Sequence, residues 1–213
     1  MALTGFDPGV VNSSINQVNA AYRDLMQAIV TGTQSKFINP MGNQWACKEA
    51  QTWFGEFTNV INELANGCNQ TFESVVNTMN EAARAWAQTT GGTEYTSISF
   101  SPIGTKVNAD AIKENLGGVR GVDRENANST VSNLSAVAQS ASSALASAKS
   151  AVASCGFMGG HQAESLIEAL NQIGNNINQA VSETSSAAKT AITNTVATYG
   201  DQATSVSNAF NGG

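Results

Sequence analysis

Charge is what this chain has least of. Only 12% of its 213 residues are charged, about half the usual share for a soluble domain. A polar surface must then be built from Asn, Gln, Ser and Thr. Such a surface points to export or assembly, because cytoplasmic proteins use more Lys and Glu. The net charge is −6, which argues against nucleic acid as a partner. There is a single histidine, His161, so the usual His-based metal sites cannot be built and no metal or other cofactor is expected. No run approaches about twenty apolar residues, so no membrane span is expected. The opening stretch MALTGFDPGV has no basic region followed by an apolar one, so no ordinary cleaved signal peptide is expected. Cysteines number three, Cys47, Cys68 and Cys155. An odd count leaves at least one thiol unpaired, and all three read as small buried apolar residues.

What is present is helical periodicity. Asp7-Pro8 places an N-cap before a proline at the first helical position. Val11, Ile15, Val18, Tyr22, Leu25 and Ile29 follow at steps of 4, 3, 4, 3 and 4, the seam of a coiled coil. Gly32 and the segment SKFINPMG should end this helix. Asn43 should cap the next, whose seam runs Ala46, Ala50, Trp53, Phe57, Val60, Leu64, Cys68, Phe72, Val75, Met79, Ala82 and Trp86. The two successive steps of four through Cys68 and Phe72 are a stutter. Gly91-Gly92 stops it. After a short helix expected from Asn108 to Leu116, closed by Gly117-Gly118, Asp123 caps a third long helix. Its stripe is Val131, Leu134, Val137 or Ala138, Ala141, Leu145, Ala148 and Val152. A fourth carries Leu166, Leu170, Ile173, Ile177, Val181, Ala188, Ile192, Val196, Tyr199, Ala203, Val206 and Phe210. The fold class is all-α: hairpin 1 over residues 1–92, a linker over 93–121, hairpin 2 over 122–213. Together the hairpins suit an elongated four-helix bundle.

Two bends share a spelling. Residues 40–46 read PMGNQWA and residues 157–163 read FMGGHQA. Met41-Gly42 and Phe157-Met158-Gly159 would each sit where a hairpin reverses. Gly159 is the better candidate for a left-handed backbone.

A leaderless, weakly charged helical hairpin of about a hundred residues with a bend written aromatic-x-Gly resembles the WXG100 superfamily of small type VII secretion substrates. Phe157-Met158-Gly159 fits the bend motif with Phe for Trp, and Pro40-Met41-Gly42 fits through its glycine alone. Trp53-Phe54-Gly55 matches the letters, yet Trp53 lies on a regular seam and reads as core. The resemblance implies hairpins paired into a four-helix bundle, here within one chain, and export without a cleaved leader. It also implies an export signal, Tyr-x-x-x-Asp/Glu, late in the last helix. Tyr199 with Asp201 is the nearest candidate, although position 203 is Ala.

Catalytic arrangements are thin. His161 lies six residues after Cys155 and three before Glu164, and reads as a solvated residue in a first helical turn. GGVRG at 117–121 lacks the strand and spacing of a dinucleotide loop, and its glycines read as helix stops. Glu49, Glu56 and Glu63 repeat every seven residues as a solvated stripe. The expectation is a non-enzymatic secreted protein whose partners are proteins, either secretion machinery or other copies of itself. The alternative is a self-assembling subunit of an extracellular filament or virion. In the linker, Ile98, Phe100 and Pro102 alternate with Ser. Ile98 and Phe100 either cover the helices or pair with another copy's strand as an assembly contact.

Overall fold

A computed structural model describes residues 7–90, 94–156 and 158–211, with side chains to 89 and 201 in the first and last stretches. The chain is all-α. Helix α1 spans Pro8–Met26, α2 Asn39–Met41, α3 Lys48–Thr90, α4 Arg124–Ala153 and α5 Gly160–Asn211. The described strands are the two-residue β1 (Trp45–Ala46) and β2 (Gly121–Val122).

The start of α1 is as expected: the Asp7 carboxylate accepts from the Gly9 N–H at 2.8 Å, with Pro8 following. The end is not. Gly32 does not stop the helix. The chain passes through wider π-helical turns, Gln27–Gly32 and Gln34–Ile38, before the last α-helical turn. The cause is a buried stripe that advances by four residues at a time, more than one α-helical turn: Ile29, Thr33, Phe37 and Met41, with Ile38 buried beside Phe37. Turns bonded i→i+5 keep that spacing on one side. Pro40 brings no N–H to the carbonyl four residues back, Lys36. Asn133 of α4 donates its Nδ2 to that carbonyl at 3.0 Å.

Helix α3 begins at Lys48, five residues after the expected cap at Asn43. Trp45 and Ala46 are drawn into an antiparallel pairing with Val122 and Gly121 instead. Cys47 then caps the helix, its sulfur accepting from the Ala50 N–H at 3.4 Å. The expected helix from Asn108 to Leu116 is absent. Gly117 and Gly118, both with positive φ, form a two-residue turn closed by Leu116 and Val119, the geometry that tight hairpins favour. At Asp123 the cap is present, accepting from the Asn126 N–H at 3.2 Å.

The chain folds as two compact units, each built from three stretches. The first takes residues up to 29, Glu63–Thr105 and Gln139–Ile177; the second takes Val30–Asn62, Lys106–Ala138 and residues from 178. The first unit buries Val11, Ile15, Val18, Tyr22 and Leu25 of α1. With them go Phe72, Val75 and Met79 of α3, Leu145 and Ala148 of α4, and Leu166 and Leu170 of α5. Cys68 joins this core, and burial pushes its thiol up to about 12 from 9.0, so it packs as a neutral apolar group.

Extended chain is held against α3 by side-chain amides, in both units. In the first, Asn80 donates to the Ile98 carbonyl at 2.9 Å and accepts from the Ile98 N–H at 3.0 Å. Eleven residues earlier on the helix, Asn69 donates to the Ile103 carbonyl at 3.1 Å. The Ile103 N–H donates to the Tyr22 hydroxyl at 2.6 Å, and that hydroxyl donates to Asn69, closing a ring. In the second unit, Asn62 donates to the Val107 carbonyl and accepts from its N–H, at 3.1 and 2.9 Å. Gln51, eleven residues earlier, donates to the Ile112 carbonyl at 3.4 Å. The spacing has a simple reason. Eleven helical residues rise about 16 Å, and five extended residues cover about the same distance. Amides eleven apart therefore meet peptide groups five apart.

The bends differ in physics despite their spelling. Gly42 ends α2 with φ −58°. It must be glycine because a Cβ there would lie 2.5 Å from the Ala111 carbonyl oxygen. At the second bend the left-handed residue is Gly156, with φ +64°, and not Gly159. Nothing lies within 4 Å of where a Gly159 Cβ would be. Gly42→Ala should therefore destabilise the protein by about 1–3 kcal/mol through overpacking. Gly156→Ala should cost about 1–2 kcal/mol from backbone strain, and Gly159→Ala less than about 0.5 kcal/mol. Urea unfolding midpoints would rank the three, and a Gly159 variant as damaged as Gly42→Ala would contradict the assignment.

Candidate functional site

A cleft of about 540 Å³ lies in the second unit, between the start of α3 and the later part of α5. Lys48 opens α3, so Glu49, Thr52, Trp53 and Glu56, at i, i+3, i+4 and i+7, project from one face. On α5, Ala191, Asn194, Thr195, Thr198 and Tyr199 repeat the same spacing. Trp45 completes the wall.

Five aromatic residues between positions 37 and 57 give the cleft a rigid backing. Phe37 sits edge-on to Phe57 (centroids 5.2 Å, 86°) and packs against Phe54 at 5.4 Å. Trp53 stacks on Phe57 at 5.4 Å and 14°, with Trp45 5.9 Å away. Phe37, Trp45 and Phe54 are fully buried, whereas Trp53 is half-buried. The expectation that Trp53 is core is thus half met: part of its ring surface belongs to the cleft. The buried Trp45 indole N–H makes no hydrogen bond of normal geometry.

The electrostatics are lopsided. The Glu49 carboxyl is held below its ordinary range by its own backbone N–H, with the Cys47 thiol and then the charges of Lys48 and Arg120 adding to the effect. Its place in the first turn of α3 suits a negative charge. The Tyr199 hydroxyl is pushed up, by desolvation first and then by the charge of Glu49. Burial likewise raises the Cys47 thiol. Arg120, whose charge reaches both Glu49 and Tyr199, is ion-paired with Glu114.

Of the residues singled out in the sequence, the cleft takes Tyr199 and Trp53; Asp201 is exposed on α5. Met41 and Gly42 end α2 in the second unit, with Met41 buried. Met158 and Gly159 precede α5 in the first unit, and the Gly159 carbonyl accepts from the Gln162 N–H at 2.9 Å. Phe157 lies outside the described residues. Ile98 and Phe100 are half-buried; Phe100 packs on Tyr22 at 4.7 Å, and both backbone polar groups of Ile98 are bonded to Asn80. His161 is exposed, 3.6 Å from Glu164. Sequence reasoning missed Trp45, Glu49 and Glu56 as site residues. The usable signal was the coincidence of the Glu49/Glu56 stripe with an aromatic cluster on the same helical turns.

Among the described residues, no group of three His, Cys, Asp or Glu side chains could hold a metal ion. No described helix is long and apolar enough to cross a membrane. The cleft is lined by polar and aromatic side chains, with the carboxylates of Glu49 and Glu56 on its α3 wall. No protein-family model matches the chain, and comparison with curated proteins and with solved structures finds no match.

Proposed function

We propose that this is a non-enzymatic protein that acts by binding other proteins, built as a tandem of WXG100-like hairpins in an elongated four-helix bundle. It would be exported by a type VII system. The observation that carries the reading is the cleft. It brings the half-buried Trp53 together with Tyr199, the nearest match to an export signal, on two facing helices of one unit. Its volume of about 540 Å³ leaves room for side chains of a partner.

Export is the test. The chain, expressed in bacteria with and without a type VII system, should reach the medium only in the first. Tyr199→Ala should abolish that export while leaving the melting temperature close to wild type, because Tyr199 is only half-buried. Export that ignores either the secretion system or Tyr199 would refute the proposal. A second reading, the self-assembling extracellular subunit, draws support from Val60 and Val119, which are 47% and 70% exposed. Under it, light scattering should show mass growing with concentration; a monomer throughout would exclude it.

A further inference from the structure

We propose that the cleft receives a cationic side chain, an arginine or lysine presented by a partner protein, seated against Trp53 and Tyr199 with Glu49 and Glu56 as its counter-charges. The inference rests on the binding-protein reading above and names what is bound.

The walls favour a cation. Aromatic faces carry negative charge density and attract ammonium or guanidinium groups. Phe57 stacked on one side and Trp45 close by hold the Trp53 indole in place, so little ordering is left for the ligand to impose. Glu49 and Glu56 stand two turns apart on the same face of α3. Against their two negative charges the lining offers one positive charge, Lys48. Arg120 does not redress the balance, because its guanidinium is already paired with Glu114. The Tyr199 hydroxyl is raised by desolvation first, and the charge of Glu49 adds to it. An anion would meet two carboxylates, and a neutral ligand would gain nothing from the surplus charge. A guanidinium or ammonium group is satisfied by both the rings and the carboxylates.

Nuclear magnetic resonance on the full chain tests this through its three indole N–H signals, from Trp45, Trp53 and Trp86. The probes are N-acetyl-arginine amide, N-acetyl-lysine amide, the neutral isostere N-acetyl-citrulline amide, and methyl glucoside. The arginine and lysine probes should shift the Trp45 and Trp53 signals and leave Trp86 in place. The citrulline probe should bind about tenfold more weakly, and so should the arginine probe to a Glu49→Gln/Glu56→Gln double variant. Both substituted residues are exposed, so the variant should keep its melting temperature. Raising ionic strength from about 0.01 M to about 1 M should weaken the arginine probe. Citrulline bound as well as arginine, a preference for the glucoside, or no shift at about 100 mM probe, far above a millimolar Kd, would each overturn the inference. The export assay is separate. A cleft indifferent to cations with Tyr199-dependent export would sink this inference alone. Cation binding without Tyr199-dependent export would sink the secretion reading alone.

Discussion

Replacing Asn80 with alanine should destabilise the first unit by about 2–5 kcal/mol, a large effect for a polar substitution. The side chain is 4% exposed and makes four hydrogen bonds. Its Nδ2 donates to the Val76 and Ile98 carbonyls, and its Oδ1 accepts from the Ile98 N–H and the Tyr95 hydroxyl. Alanine leaves the Ile98 N–H and C=O without their partner. Each such group costs about 1–3 kcal/mol where water does not replace it. Asn77, exposed on the same helix, is the control, and Asn77→Ala should stay within about 0.5 kcal/mol. Asn80→Asp sharpens the test. It keeps the acceptor and loses the donor, so it should be damaging at neutral pH and partly rescued in acid, where a protonated carboxyl can donate again. Urea unfolding of the three variants would decide, and an Asn80→Ala midpoint equal to that of Asn77→Ala would refute the role assigned to the amide.

Phe37→Ala should cost about 3–5 kcal/mol in the second unit. Phe37 is fully buried and touches Trp53, Phe54 and Phe57 from a π-helical turn. Its loss opens a cavity behind the cleft, because helical backbone on both sides restricts collapse. Phe37→Leu, which fills most of the space, should cost less. A loss under about 1 kcal/mol for Phe37→Ala would show that the aromatic cluster does not support the unit. The same variants should alter Trp53 fluorescence, since the ring centroids lie 6.2 Å apart.

Much of the helical frame was legible in the sequence. All six residues of the first seam are buried, as is the α4 stripe in its Val137 form. On α3 the expected seam slipped by one residue. Val60 is 47% exposed while Ile61 is buried, because the successive steps of four fall at Phe57, Ile61 and Ala65, not at Cys68 and Phe72. Both registers are apolar there, so periodicity could not choose between them. The shared Met-Gly spelling misled about the bends. One glycine is required by the approach of Ala111 and the other lies in open space. The short helix expected before Gly117 failed for a related reason: paired glycines stop a helix and make a tight turn equally well. The amide ladder was invisible, because Asn62, Asn69 and Asn80 look like ordinary surface residues in a chain that uses amides in place of charge. The cleft was invisible too, since its two helices lie far apart in sequence.

The chemical make-up of that ladder has a consequence for the conditions the protein tolerates. Asn, Gln and one tyrosine hydroxyl hold the extended chain to α3. Amides do not titrate, and burial moves the Tyr22 phenol further from neutrality, not closer. None of these bonds joins two opposite charges, so dissolved ions have little to screen. A fastening of carboxylates and ammonium groups would loosen in acid and again in brine. This one should hold in fresh water, salt water and mild acid alike.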